Sequence, residues 1–100
     1  MELLKPLSKA DFGAQTASYT GTAGSTAGWN AGPQGVVVWS DQACYVEVGE
    51  GAVATTASTP IPPFTPIPFA VPITTSGVWR VSAIRVSNDG TLYCKPINKQ

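Results

Sequence analysis

Histidine is missing altogether from this 100-residue chain, and charge is scarce. Without histidine the commonest general base and the commonest metal ligand are both absent. Charged residues make up 12% of the sequence, about half of the roughly 25% usual in globular domains. Six basic residues balance six acidic ones, so nothing attracts nucleic acid by bulk electrostatics. The two cysteines lie 50 positions apart with no CxxC pair, which argues against a zinc site and a disulfide framework. No apolar run reaches the ~18 residues of a membrane-spanning helix. The opening MELLKPLSKADF has no basic stretch leading into an apolar one, so no signal peptide is expected. GxSxG, Walker and Rossmann patterns are all wanting, as is a loop dense enough in oxygen ligands for calcium. Asp41 and Asp89 fall in turns, where such side chains bond nearby backbone. These absences lead to the expectation of a non-enzyme with no cofactor and no metal.

Hydrophobic residues are 43% of the chain, enough for one modest core with little stability to spare. A sparsely charged surface is poorly protected against self-association. It fits either a surface covered by partner subunits or a small neutral monomer. Cys44 alternates with Val46 and Val48, and Cys94 with Leu92, so both thiols read as small buried hydrophobes. A Cys44–Cys94 bridge requires that their strands be neighbours.

The stretch 77–97, GVWRVSAIRVSNDGTLYCKPI, holds two apolar β-branched runs joined by Ser87-Asn88-Asp89-Gly90. Asp-Gly at that place predicts a β-hairpin in which Gly90 takes a positive φ. Inside the first run the apolar parity shifts between Trp79, Val81, Ala83 and Ile84, Val86. A β-bulge near Ser82–Ala83 would restore one inward face; the alternative is a central strand buried on both sides.

Upstream, Val36–Trp39 is apolar without alternation, the pattern of a strand covered on both faces. Residues 43–49, ACYVEVG, alternate, with Cys44, Val46 and Val48 inward. Only Ser40-Asp41-Gln42 separates the two, close enough for a hairpin. Prolines supply six of the thirteen residues of Pro60–Pro72. Ile67, Phe69, Val71 and Ile73 fall on odd positions and Pro66, Pro68 and Pro72 on even ones. That parity predicts an edge strand that pairs on one side and is blocked by proline on the other. A rival reading takes Pro60–Pro63 and Pro63–Pro66 as PxxP ligands in polyproline conformation.

The first 33 residues differ in kind. Residues 1–12 offer one weak amphipathic turn interrupted by Pro6, or an extended segment. Residues 13–32 carry no charge and are Gly, Ala, Ser or Thr except for Gln15, Tyr19, Trp29 and Asn30. Such a segment has high chain entropy and little to bury. Two readings stand. In one, residues 1–33 form an extended N-terminal arm that orders on a neighbour through Tyr19 and Trp29, ahead of a domain at 34–98. In the other, the segment supplies strands of the same domain and both rings belong to its core.

Residues 36–97 bear a family likeness. The block ACYVEVGEGAVATTASTPIPPFTPIPFAVP followed by VWRVSAIRVSNDGTLYCKPI resembles small virion proteins of tailed phages. The closing Val81-Ser82-Ala83-Ile84-Arg85 and Asp89-Gly90-Thr91-Leu92-Tyr93 are its most specific part. The resemblance implies a small antiparallel, jelly-roll-like β-sandwich and no catalytic residue. It also implies a capsid decoration (cement) protein, made in the host cytoplasm and placed on the capsid surface of the virion. Its partners would then be the major capsid protein and copies of itself, most simply a trimer, with no nucleic acid and no membrane. Another virion position (collar, head–tail junction or tail) and a displayed receptor- or glycan-binding module are the alternatives. The Gly/Ala/Ser/Thr segment has no counterpart in the resemblance.

Overall fold

Alternating apolar residues and frequent turn formers give ten strands and no helix among the described residues, in a computed structural model that describes residues 4–6, 12–72 and 77–99. In chain order they are β1 (Leu4–Pro6), β2 (Gln15–Tyr19), β3 (Gly24–Ser25), β4 (Trp29–Asn30) and β5 (Gly35–Ser40). Then follow β6 (Cys44–Gly49), β7 (Thr59–Ile61), β8 (Ile67–Ala70), β9 (Val78–Arg85) and β10 (Gly90–Lys99). They form two antiparallel sheets. The first runs β1–β10–β5–β8, with β2 on the same side of β10 as β1; the second runs β3–β9–β6–β7, with β4 on the same side of β9 as β3. The fold is therefore all-β and built as a small sandwich.

Neither expected hairpin closes. β5 and β6 lie in different sheets, as do β9 and β10, while β5 pairs with β10 and β6 with β9. Each short connection is an arch over the end of the core. The physical reason is that sheets pack about 10 Å apart, a gap that three or four residues at about 3.3 Å each can span. An arch then sets two apolar faces against each other across the core, where a hairpin would lay them side by side. Gly90 takes no positive φ. The β6–β9 register runs unbroken from Cys44↔Arg85 to Gly49↔Arg80, so there is no bulge at Ser82–Ala83. Instead β9 is central and buried on both faces at that point: Trp79, Val81 and Ala83 face the core, and Ser82 is covered by the 52–54 segment.

The proline parity holds. β8 pairs with β5 alone, from Gly35↔Ala70 to Val38↔Ile67, and is a sheet edge. Ile67, Phe69 and Val71 pack on the core while Pro68 faces out. The other sheet ends on β7, whose central residue is Pro60. Pro96 lies within a central strand, at the break where β2 has ended opposite Cys94 and β1 begins opposite Ile97. A residue without an N–H costs least at such a break. The edge position Ile73 and the N-terminal positions Leu3 and Leu7 lie outside the described residues.

Residues 13–32 are the chief correction. They are no extended arm: β2 borders the first sheet and β3 and β4 border the second. The boundary drawn at Gly32-Pro33 cuts through the domain. The radius of gyration is 12.5 Å, the value of a compact domain of about this size. Small residues serve close approach here. A Cβ on Gly24 would lie 1.9 Å from the Ser18 carbonyl, where the chain crosses from one sheet to the other.

Candidate functional site

Tyr19 and Trp29, the two residues expected to anchor an arm on a neighbour, are 1% and 3% exposed. Trp29 sits opposite Trp79 on β4 and β9, with ring centroids 4.8 Å apart. Its indole donates to the Gly13 carbonyl and that of Trp79 to the Asn30 carbonyl, at 3.1 and 3.0 Å. Both residues are core, as the second reading of residues 13–32 had it.

Tyr19 reaches the two arches. Its single hydroxyl proton is shared between the Gln42 carbonyl, 2.9 Å away, and the Ser40 hydroxyl. Ser40 in turn donates to the Thr91 carbonyl. The Asp41 carboxylate accepts the Thr91 N–H at 2.8 Å. Asp41 thus binds backbone, but that of the neighbouring arch, while Asp89 pairs with Arg85 at 2.6 Å on the surface. Burial pushes the Tyr19 phenol up to about 12. It raises the Cys44 thiol as well, and takes Cys94 to about 12 with help from Cys44 nearby. Both cysteines are free and buried, on β6 and β10 of opposite sheets rather than on neighbouring strands. Groups held so firmly in their neutral forms are poor nucleophiles; this cluster ties turns together.

The site open to a partner lies on the outward face of the first sheet. In β5 the even residues Val36 and Val38 fill the core and the odd residues Val37 and Trp39 face out. In β10 Leu92 and Cys94 point in, and Tyr93 and Lys95 point out. The β5–β10 register sets Trp39 beside Tyr93 and Val37 beside Lys95. The Trp39 and Tyr93 rings stack with centroids 4.3 Å apart and planes 13° from parallel. Phe64 extends the row on the β8 side, its centroid 6.3 Å from that of Trp39. Alongside the stack is an open groove of about 270 Å³ lined by Ala14, Gln15, Thr16, Val37, Trp39, Tyr93, Cys94 and Lys95. The Lys95 ammonium donates to the Phe12 carbonyl at 2.8 Å.

Phe64 is unusual twice over. It is 69% exposed, and its φ of 57° makes it the one non-glycine described residue in the left-handed region. A bulky side chain there is strained, and strain of this kind collects at working surfaces. Its N–H donates to the Ser40 carbonyl at 2.7 Å, which pins the loop to the end of β5. The bend also rules out a continuous polyproline helix over Pro63–Pro66, since that helix needs φ near −75°.

In the sequence Tyr93 stands out only within the closing stretch of the family likeness, and Phe64 only inside a PxxP pattern. Trp39 was assigned to a strand covered on both faces. Its odd parity, shared with Val37, is the signal that separates it from Val36 and Val38. Among the described residues no three of Cys, Asp or Glu cluster to hold a metal ion, and no helix is long and apolar enough to cross a membrane. No protein-family model, no curated protein and no solved structure matches this chain.

Proposed function

We propose that this chain is a non-enzymatic structural protein of a phage particle, a capsid decoration protein that attaches through the outward aromatic face of its first sheet. The observation that carries the attachment surface is the row Tyr93–Trp39–Phe64. It is aromatic at its centre and free of carboxylates, the composition of an interface core. Phe64 supplies an exposed and pre-set ring. The proline-bearing edge strands β7 and β8 disfavour association edge to edge, which leaves faces and loops for contact. The virion role itself is supported by the likeness of residues 36–97 to small phage structural proteins. On that reading the protein bridges neighbouring capsid subunits, and many weak copies act together by avidity.

The test is the copy number in purified particles, measured by quantitative mass spectrometry against the major shell protein. A fixed ratio with hundreds of copies is expected. A dozen copies or fewer would move the protein to the collar, head–tail junction or tail, and absence from particles would end the virion reading. A displayed glycan-binding module is the second reading, favoured by the same exposed aromatic row.

A further inference from the structure

The chain has three tryptophans, and their indole N–H groups differ. Those of Trp29 and Trp79 are bound to backbone carbonyls. That of Trp39 makes no hydrogen bond among the described residues, and neither does the Tyr93 hydroxyl beside it. A stacked indole–phenol pair thus faces the groove with its apolar flank and both polar tips unused within the chain. The groove lining contains no carboxylate. Its polar groups are few: the two ring handles and the Thr16 hydroxyl can all donate, and Gln15 supplies the one side-chain amide.

A complementary ligand is rich in acceptors, poor in donors, and presents flat apolar rings. A sugar fits less well, because each of its many hydroxyls brings a donor, and the lining offers the single amide of Gln15 and no carboxylate to accept them. A proline-rich segment fits well: proline has a carbonyl but no N–H, and the polyproline helix leaves its carbonyls unbonded. Aromatic-lined grooves read such segments at low entropic cost because the helix is already formed. The groove, at about 270 Å³, is smaller than the ~300–1,000 Å³ of drug-sized sites, which suits a few ring side chains of a longer peptide.

We infer that the Trp39–Tyr93 groove binds a proline-rich segment of a partner protein in polyproline conformation, with the Trp39 Nε1–H and the Tyr93 hydroxyl donating to its carbonyls. This deepens the reading of the outward face as an attachment surface, and it stands or falls separately from the virion role. The chain's own Pro63–Pro66 does not serve, since Phe64 bends it.

The experiment titrates the full chain with a ten-residue oligoproline, followed by amide chemical shifts and by tryptophan emission. Trp29 and Trp79 are buried, so a change in emission reports Trp39. Saturable binding is expected, with shifts confined to residues 14–16, 37–39 and 93–95. Trp39→Phe keeps a ring and removes the donor, as Tyr93→Phe removes the hydroxyl. Each should weaken binding about tenfold by calorimetry, with an unchanged circular dichroism spectrum, while Val86→Ala on the far arch leaves it unaltered. No saturation up to about 1 mM, or shifts elsewhere, would overturn the proposal. So would binding of a neutral oligosaccharide such as maltohexaose in place of oligoproline, which would assign the groove to glycans. Particle copy number bears on none of these outcomes.

Discussion

The Tyr19 hydroxyl occupies the space a side chain at position 90 would need: a Cβ on Gly90 would lie 2.5 Å from that oxygen and 2.6 Å from the Asp41 carboxylate. Glycine is required at the start of β10 by packing rather than by a positive φ. Gly90→Ala is expected to destabilise the fold by about 1–3 kcal/mol, the usual cost of overpacking. In a Tyr19→Phe background the penalty should shrink without vanishing, because Asp41 still obstructs. Urea unfolding of the four proteins of this double-mutant cycle measures the coupling.

Tyr19 also sets an alkaline limit. Its folded pKa of about 12 stands above the ordinary 10.0, and that of Cys94, also about 12, stands above 9.0. In both cases the unfolded chain loses its proton first. Stability is thus whole below about pH 9 and is drained as pH climbs from there towards 12. Thermal melts between pH 8 and 12 should show a falling Tm. In Tyr19→Phe the part of the fall above pH 10 should be shallower. At neutral pH that variant should lose about 1–3 kcal/mol, since the Ser40 and Gln42 partners are left without the hydroxyl.

The segment 13–32 is expected to be indispensable. Trp29→Ala removes the ring packed against Trp79 and should cost about 3–5 kcal/mol. Deleting residues 1–32 takes away β1, β2, β3 and β4 and uncovers Trp79 and Leu92. Such a truncation should lose its near-ultraviolet circular dichroism and aggregate; a soluble, cooperatively melting fragment would show that 34–98 stands alone.

Phe64 offers a contrasting outcome. Glycine relieves its left-handed backbone, and an exposed ring gives up little on removal. Phe64→Gly is expected to raise stability, by about 1 kcal/mol at most after the entropy of glycine is counted. Denaturant titration would read a loss instead if the ring were structural.

Pro68 guards an edge. It faces out on β8, the last strand of its sheet. Pro68→Thr adds a strand-forming residue with an N–H at that edge, and should raise self-association with little change in monomer stability. Light scattering at rising concentration checks it.

Much of this was legible in the sequence, and the exceptions share a cause. Alternation in 44–49 and 90–97 and the proline parity of 66–72 are local signals, and each places a strand with its inward face. Sheet partners are not local. A three- or four-residue connection such as Asp41–Ala43 has the same composition whether it folds flat or arches over a core. The hairpin expectation therefore failed at both arches for one reason. Residues 13–32 misled because small, uncharged residues signal flexibility in isolation and close backbone approach in context, as Gly24 against Ser18 illustrates. The aromatic row was hidden by topology, since Trp39 and Tyr93 meet only through the β5–β10 register. Phe64 joins them through a loop bend that no propensity favours.

The two arches have a kinetic consequence. Among the described strands, β6 and β7 alone are both consecutive and paired; every other ladder joins segments far apart in the chain, up to Leu4↔Lys99. Before β10, the last of the ten strands, the first sheet can form only its β5–β8 ladder, itself non-local at Val38↔Ile67, while β1 and β2 pair with β10 alone. Such a topology folds in milliseconds to seconds rather than microseconds. On the ribosome, β2 must wait unpaired and β5 with one edge open until β10 emerges, and the interval before that closure is when the chain is most exposed to misassembly with its neighbours.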